Sequence, residues 1–172
     1  MQPLITLVLG GTRSGKSRYA ETLVEAAGAG FYLATAQAFD GEMEERIRLH
    51  KERRGDLWTT HEEPLNLAQA IADKSGPNHM VLVDCLTLWL SNLMDAGKDI
   101  DAEAAKLCET LSNAKGPVVL VSNEVGMGIV PENALSRAFR DHQGRLNQAV
   151  AAAADKVVFV AAGLPLVMKD ET

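Results

Sequence analysis

The run Gly10-Gly11-Thr12-Arg13-Ser14-Gly15-Lys16-Ser17 places two glycines, a lysine and a hydroxyl at the spacing G-x-x-x-x-G-K-[ST]. Residues of these types can cradle a polyphosphate. Glycines let backbone N–H groups turn inward around phosphate oxygens. A helix that starts where the run ends adds partial positive charge. On this reading Lys16 reaches the β- and γ-phosphates, and Ser17 supplies an oxygen ligand to Mg²⁺. The bland alternative is a glycine-rich strand-to-helix turn. The flanking pattern favours the phosphate loop, because the apolar run Leu4–Leu9 precedes it and a helical pattern follows from Ser17.

Asp84 ends a second apolar run, Met80-Val81-Leu82-Val83, and is the natural second Mg²⁺ partner. It could also cap a helix beginning at Leu86. The two roles are compatible.

A third group lies in the segment from Asp40 to Arg54. Met43, Ile47, His50 and Arg54 fall at i, i+4, i+7 and i+11, so a helix there turns them to one face. Lys51, Arg53 and Arg54 cluster beside His50. Neutral imidazole is a competent nucleophile, and its ordinary pKa leaves it mostly neutral at pH 7. Spacing alone favours the plainer reading, a solvated basic helix with an idle histidine. His61, His79 and His142 read as exposed residues beside loop or turn signals. Trp58 and Trp89 read as core or interface anchors, and Glu62 is unremarkable by composition.

These residues need elements to position them. Beyond the strand Leu4–Leu9 and the helix from Ser17 to near Gly28, the pattern predicts a strand over Phe31–Thr35. A helix follows from an Asp40 cap to a Gly55 stop. Next come a helix over Asn66–Ala72, the strand ending at Asp84, and a helix over Leu86–Leu93. Asp95–Asp101 reads as a surface loop, followed by a helix over Ala102–Leu111 and a strand over Val118–Val121. After a loop with Gly126, Gly128 and Pro131 comes a long helix over Asn133–Ala154, softly interrupted at Gly144. Lys156–Ala161 is the last clear strand. Apolar strands alternating with helices imply one α/β domain, a mainly parallel sheet with helices on both faces.

Composition bounds the partners. The chain has 172 residues, 47% of them hydrophobic, and a net charge of −6, which argues against a general nucleic-acid binder. No apolar run reaches the roughly 20 residues of a membrane span, and the N-terminus lacks the marks of a signal peptide. Cys85 and Cys108 sit in apolar patterns and make no disulfide framework, which fits the cytoplasm. No cysteine or histidine spacing suits a structural zinc site.

Further blocks carry a resemblance. They are Tyr32-Leu33-Ala34-Thr35-Ala36; Glu42-Met43 with Arg46-Ile47-x-x-His50; Trp58-x-Thr60-x-Glu62-x-Pro64; and Asp84-Cys85-Leu86-Thr87. To these add Val121-Ser122-Asn123-Glu124-Val125-Gly126-Met127-Gly128-Ile129-Val130-Pro131 and Arg137-x-Phe139-Arg140-Asp141-x-x-Gly144-Arg145-x-Asn147-Gln148. With the phosphate loop, they make the chain resemble the bifunctional adenosylcobinamide kinase / adenosylcobinamide-phosphate guanylyltransferase family of cobalamin synthesis, over nearly its whole length. The resemblance implies a P-loop NTPase fold with a RecA-like sheet. It implies phosphorylation of adenosylcobinamide by ATP or GTP, then transfer of GMP from GTP to the phosphate, with pyrophosphate released. It makes His50 the residue that carries GMP covalently, and so overturns the idle reading of that histidine. It extends the nucleotide contacts from Gly10, Gly11, Thr12, Arg13, Ser14, Gly15, Lys16 and Ser17 to Ala34, Thr35, Ala36, Lys51, Glu52, Arg53, Arg54, Glu62 and Asp84. It also implies a homotrimer and a corrinoid substrate. Residues alone leave two rivals open: a kinase in which His50 is idle, and a non-catalytic nucleotide-dependent binding module.

Overall fold

A computed structural model describes residues 4–28, 30–36 and 58–171. The expected helix from Asp40 to Gly55 lies outside the described residues. Seven strands form one sheet: β1 (Ile5–Gly10), β2 (Gly30–Ala34), β3 (Trp58–Glu62), β4 (Met80–Asp84), β5 (Val118–Asn123), β6 (Lys156–Ala161) and β7 (Leu164–Asp170), in the spatial order β3-β2-β4-β5-β1-β6-β7. All neighbours pair in parallel except β6 and β7, which pair antiparallel. Five helices are described: α1 (Lys16–Glu25), α2 (Leu67–Lys74), α3 (Leu86–Asp95), α4 (Ile100–Ser112) and α5 (Ala134–Ala153).

Strand pleating divides the core in two. Ile5, Leu7 and Leu9 of β1, Val81 and Val83 of β4, and Val118 and Leu120 of β5 pack with α2–α5. The alternate residues Val8, Leu82, Val119 and Val121 pack with Ala20 and Val24 of α1 on the opposite face. This is why the central strands read as continuous apolar runs, and it bears out a parallel sheet covered on both sides.

The structure moves some boundaries and adds two strands. Asp99 caps α4, its Oδ1 accepting from the Ala102 N–H at 3.0 Å, so the surface loop shrinks to 96–99. Asn133 caps α5, accepting from the Ser136 N–H at 2.7 Å. Gly144 does not interrupt that helix. His142 lies within it, half-buried, and not beside a loop. The sequence pattern gave no sign of β3 or β7. In β3 only Trp58 is buried, and Thr59, Thr60, His61 and Glu62 break any apolar run. Most of β7 is exposed, and it contains Pro165, a residue tolerated on an edge strand.

Candidate functional site

The phosphate loop joins β1 to α1, at the edge where the parallel strands end. Gly10 closes β1, and a Cβ there would lie 2.5 Å from both Ser14 Oγ and the Val160 carbonyl, so the loop needs glycine. Gly15 caps α1 with φ 95°, and Arg13 also has a positive φ of 56°. The first helical hydrogen bond runs from the Tyr19 N–H to the Gly15 carbonyl at 3.0 Å, so the amides before it have no partner within the helix and can serve an anion. Lys16 is 9% exposed and folds back to donate to the Gly11 carbonyl at 3.0 Å. Among the described residues the buried Ser14 Oγ has no hydrogen-bond partner.

Asp84 ends β4, level with Ala34 of β2, which is level in turn with Glu62 of β3. The Tyr32 hydroxyl donates to Asp84 Oδ2 at 2.6 Å. Cys85, not Asp84, is the N-cap residue of α3, so the carboxylate is not used as a helix cap. Thr35 is fully buried. Its Oγ1 accepts from the Cys85 N–H at 2.8 Å and donates to the Cys85 carbonyl at 2.7 Å. The Asn92 amide donates to the Thr35 and Pro64 carbonyls at 2.8 and 3.0 Å. The Ala34–Ala36 segment is thus tied to the strand end that carries Asp84.

Electrostatics link these groups. Burial pushes the Lys16 ammonium below its ordinary value, against the opposing pull of Cys85 and Asp84. Burial, and then the Asp84 charge, pushes the Cys85 thiol up to about 11, so it is neutral at pH 7. A bound phosphate would bring Lys16 the countercharge that burial makes valuable. Among the described residues no group of three or more His, Cys, Asp or Glu side chains could enclose a metal. Mg²⁺ needs no such group, since it binds through one or two protein oxygens together with phosphates and water. Ser17 at the start of α1 and Asp84 at the end of β4 are the two residues that could offer such oxygens.

The structure therefore brings the phosphate loop, Ala34–Ala36, Glu62 and Asp84 to one edge of the sheet. His50, Lys51, Glu52, Arg53 and Arg54 lie outside the described residues. Some contributors carried no assigned role in the sequence reading. One is Tyr32. Another is a polar network behind the loop. The Asn123 N–H donates to Thr87 Oγ1 at 2.9 Å, and the Asn147 amide donates to the Asn123 carbonyl at 3.0 Å. Ser122 Oγ donates to Asn147 Oδ1 at 2.6 Å, and the buried Gln143 amide donates to Ser122 Oγ at 3.0 Å. This holds the end of β5 beside β1, where the Glu124 N–H donates to the Gly10 carbonyl at 3.1 Å. Thr87, Ser122, Asn123 and Asn147 stand in the blocks that carry the resemblance, and polar residues recur four apart on one helix face at 143 and 147. Past β5 the chain is tied by Glu124, which accepts from the Gly126 and Met127 N–H groups at 2.6 and 3.2 Å. Met127 and Ile129 there are 80% and 97% exposed.

Residues 6–168 match the family model described as cobinamide kinase / cobinamide phosphate guanyltransferase. The chain is 49% identical to the bifunctional adenosylcobalamin biosynthesis protein CobP of Pseudomonas aeruginosa PAO1, over 96% of this chain and 97% of that one. It is 41% identical to the bifunctional adenosylcobalamin biosynthesis protein CobU of Escherichia coli K12, over 96% and 100% of the two. Among solved structures it resembles the RadB recombinase, with a TM-score of 0.54 and 15% identity over 91% of this chain and 73% of that one. The last likeness shows the fold alone.

Proposed function

The chain belongs to the cobinamide kinase / cobinamide phosphate guanyltransferase family, and on that premise we propose that one domain carries two successive reactions on one corrinoid. The observation that carries the reading is a buried lysine at a strand–loop–helix junction with a carboxylate at a nearby strand end, Lys16 and Asp84.

In the first reaction the amides of the phosphate loop hold the triphosphate of ATP or GTP, and Lys16 neutralises charge on its β- and γ-phosphates. Ser17 and Asp84 would hold Mg²⁺, which supplies charge neutralisation on the phosphate oxygens. The aminopropanol hydroxyl of adenosylcobinamide attacks the γ-phosphorus and releases its proton to solvent. The bond to the β-phosphate oxygen breaks, and the nucleoside diphosphate leaves. Such a transfer depends mainly on positioning and electrostatics.

In the second reaction neutral His50 attacks the α-phosphorus of GTP, and pyrophosphate leaves with the bonding electrons. The P–N bond keeps GMP activated. An oxygen of adenosylcobinamide phosphate then displaces the imidazole, giving adenosyl-GDP-cobinamide. Lys51, Arg53 and Arg54 supply cations for the triphosphate, and Glu52, Glu62 and Ala34–Ala36 complete the nucleotide contacts.

We place the enzyme in the cytoplasm, where free thiols such as Cys85 and Cys108 persist. Among the described residues no helix is long and apolar enough to cross a membrane. The net charge of −6 supports a partner list without nucleic acid. Exposed Ile129, Val130 and Leu135, with Leu164, Leu166 and Met168 on β7, support the homotrimer expected from the resemblance. The test of the kinase step is phosphate transfer from ATP to cobinamide by wild type and by Lys16→Met. The reading expects activity in the first and its loss in the second. Unchanged turnover in folded Lys16→Met would overturn the loop's role.

A further inference from the structure

The antiparallel strand β7 buries almost nothing: Leu164 to Met168 are all exposed. It is nevertheless held firmly. At its far end Lys169 Nζ donates to the Ala154 carbonyl at 2.6 Å, and Lys156 pairs with Asp170 at 2.8 Å. At its near end Ala161 pairs with Leu164 across a turn of two residues, Ala162 and Gly163, with φ 51° and 76°. That turn meets the crest of the phosphate loop. The Gly163 N–H donates to the Ser14 carbonyl at 2.8 Å, and a Cβ on Gly15 would sit 3.1 Å from Gly163 Cα.

A trans peptide unit points its carbonyl and its N–H to opposite sides. Holding the Ser14 carbonyl outward against the hairpin therefore turns the Gly15 N–H the other way, away from the turn. On the other side of Ser14 its N–H donates to the Gly11 carbonyl at 3.3 Å, so among the described residues it is the Gly163 N–H that holds the Ser14 carbonyl itself. We propose that Gly163 is a positioning residue for the phosphate loop: the hairpin turn locks the Ser14–Gly15 peptide in the orientation that binds phosphate. The inference rests on the reading of Gly10–Ser17 as the nucleotide site. It gives β7 a purpose that its burial does not.

The test uses pyrophosphate as the probe, because it fills the phosphate site without a nucleoside. Its Kd and the KM for ATP are measured in the full-length protein. Gly163→Val keeps the N–H but disfavours positive φ. It should weaken pyrophosphate binding at least tenfold and raise KM for ATP, with kcat at saturating ATP changed far less. Gly163→Asn, a residue that tolerates positive φ, should recover most of that loss. Val158→Ala, in the core of β6, serves as a control for lost stability and should leave Kd within twofold of wild type. If Gly163→Val does not fold, Gly163→Ala replaces it. Its Cβ would meet nothing within 4 Å, and it should shift Kd the same way by a smaller factor. A Kd within twofold of wild type in the folded Gly163 variant, or equal weakening in Val158→Ala, overturns the inference and leaves the nucleotide site standing. Wild-type protein that does not bind pyrophosphate overturns both.

Discussion

The Tyr32 hydroxyl reaches across from β2 to donate to Asp84 Oδ2 at 2.6 Å, on the face of the sheet covered by α1. Tyr32 is itself fixed edge-on against Trp58, with ring centroids 5.9 Å apart, so the strand neighbouring β4 sets where one Asp84 oxygen points. Tyr32→Phe keeps the ring and removes the donor. Losing a hydrogen bond to a charged group costs about 1.5–3 kcal/mol of stability. The Mg²⁺ concentration for half-maximal kinase rate should rise several-fold. An unchanged Mg²⁺ requirement would reduce Tyr32 to a packing role.

Burial sets a penalty on the Lys16 ammonium. Its pKa is lowered by burial, so folding disfavours the charged form. By linkage the penalty is absent above the ordinary value of 10.5 and grows as pH falls from 10.5 to the lowered folded value. Below that lowered value the whole penalty is present. Lys16→Met, which keeps the aliphatic stem, should therefore raise the Tm of the nucleotide-free protein, and the gain should shrink as pH climbs toward 10.5. The same variant should lose the Tm increase that GTP gives wild type. Thermal unfolding at pH 7 and pH 10, with and without GTP, reads both effects.

Ala162 adopts φ 51°, a strained region for a residue with a Cβ. Two-residue hairpin turns with two positive φ values favour Asn-Gly. Ala162→Asn should stabilise the protein by about 0.5–1 kcal/mol, a Tm gain of roughly 1–4 °C for a chain of this size. A Tm equal to or below that of wild type would show that the turn holds no relievable strain.

What the sequence made legible follows burial. Leu7, Val83 and Leu120 lie in strands buried on both faces, so β1, β4 and β5 announce themselves as apolar runs. The phosphate loop was readable because its glycines and Lys16 sit between two such signals. β3 and β7 were not, since an edge strand with one buried residue, or almost none, has no periodicity to detect. The contacts of Tyr32, Thr35, Asn92 and Gly163 were invisible for another reason. Each joins residues far apart in the chain, and three of the four act on a backbone group, which leaves no trace in side-chain types. The role of His50 could not be drawn from spacing, which favours an idle residue on a basic helix. Only the resemblance of Arg46-Ile47-x-x-His50 to a family pattern singles it out.

The central claim, two transfers with a covalent step between GTP and corrinoid, is tested most directly by intact-mass measurement after incubation with GTP and Mg²⁺. Wild type should gain the mass of one guanylyl group. The adduct should be labile in acid and stable in alkali, as a phosphoramidate is. His50→Ala should gain nothing, yet still transfer phosphate from ATP to cobinamide, because that step uses the substrate hydroxyl as nucleophile. A full guanylyl adduct on His50→Ala, or none on wild type that is active in guanylyl transfer, would contradict the account.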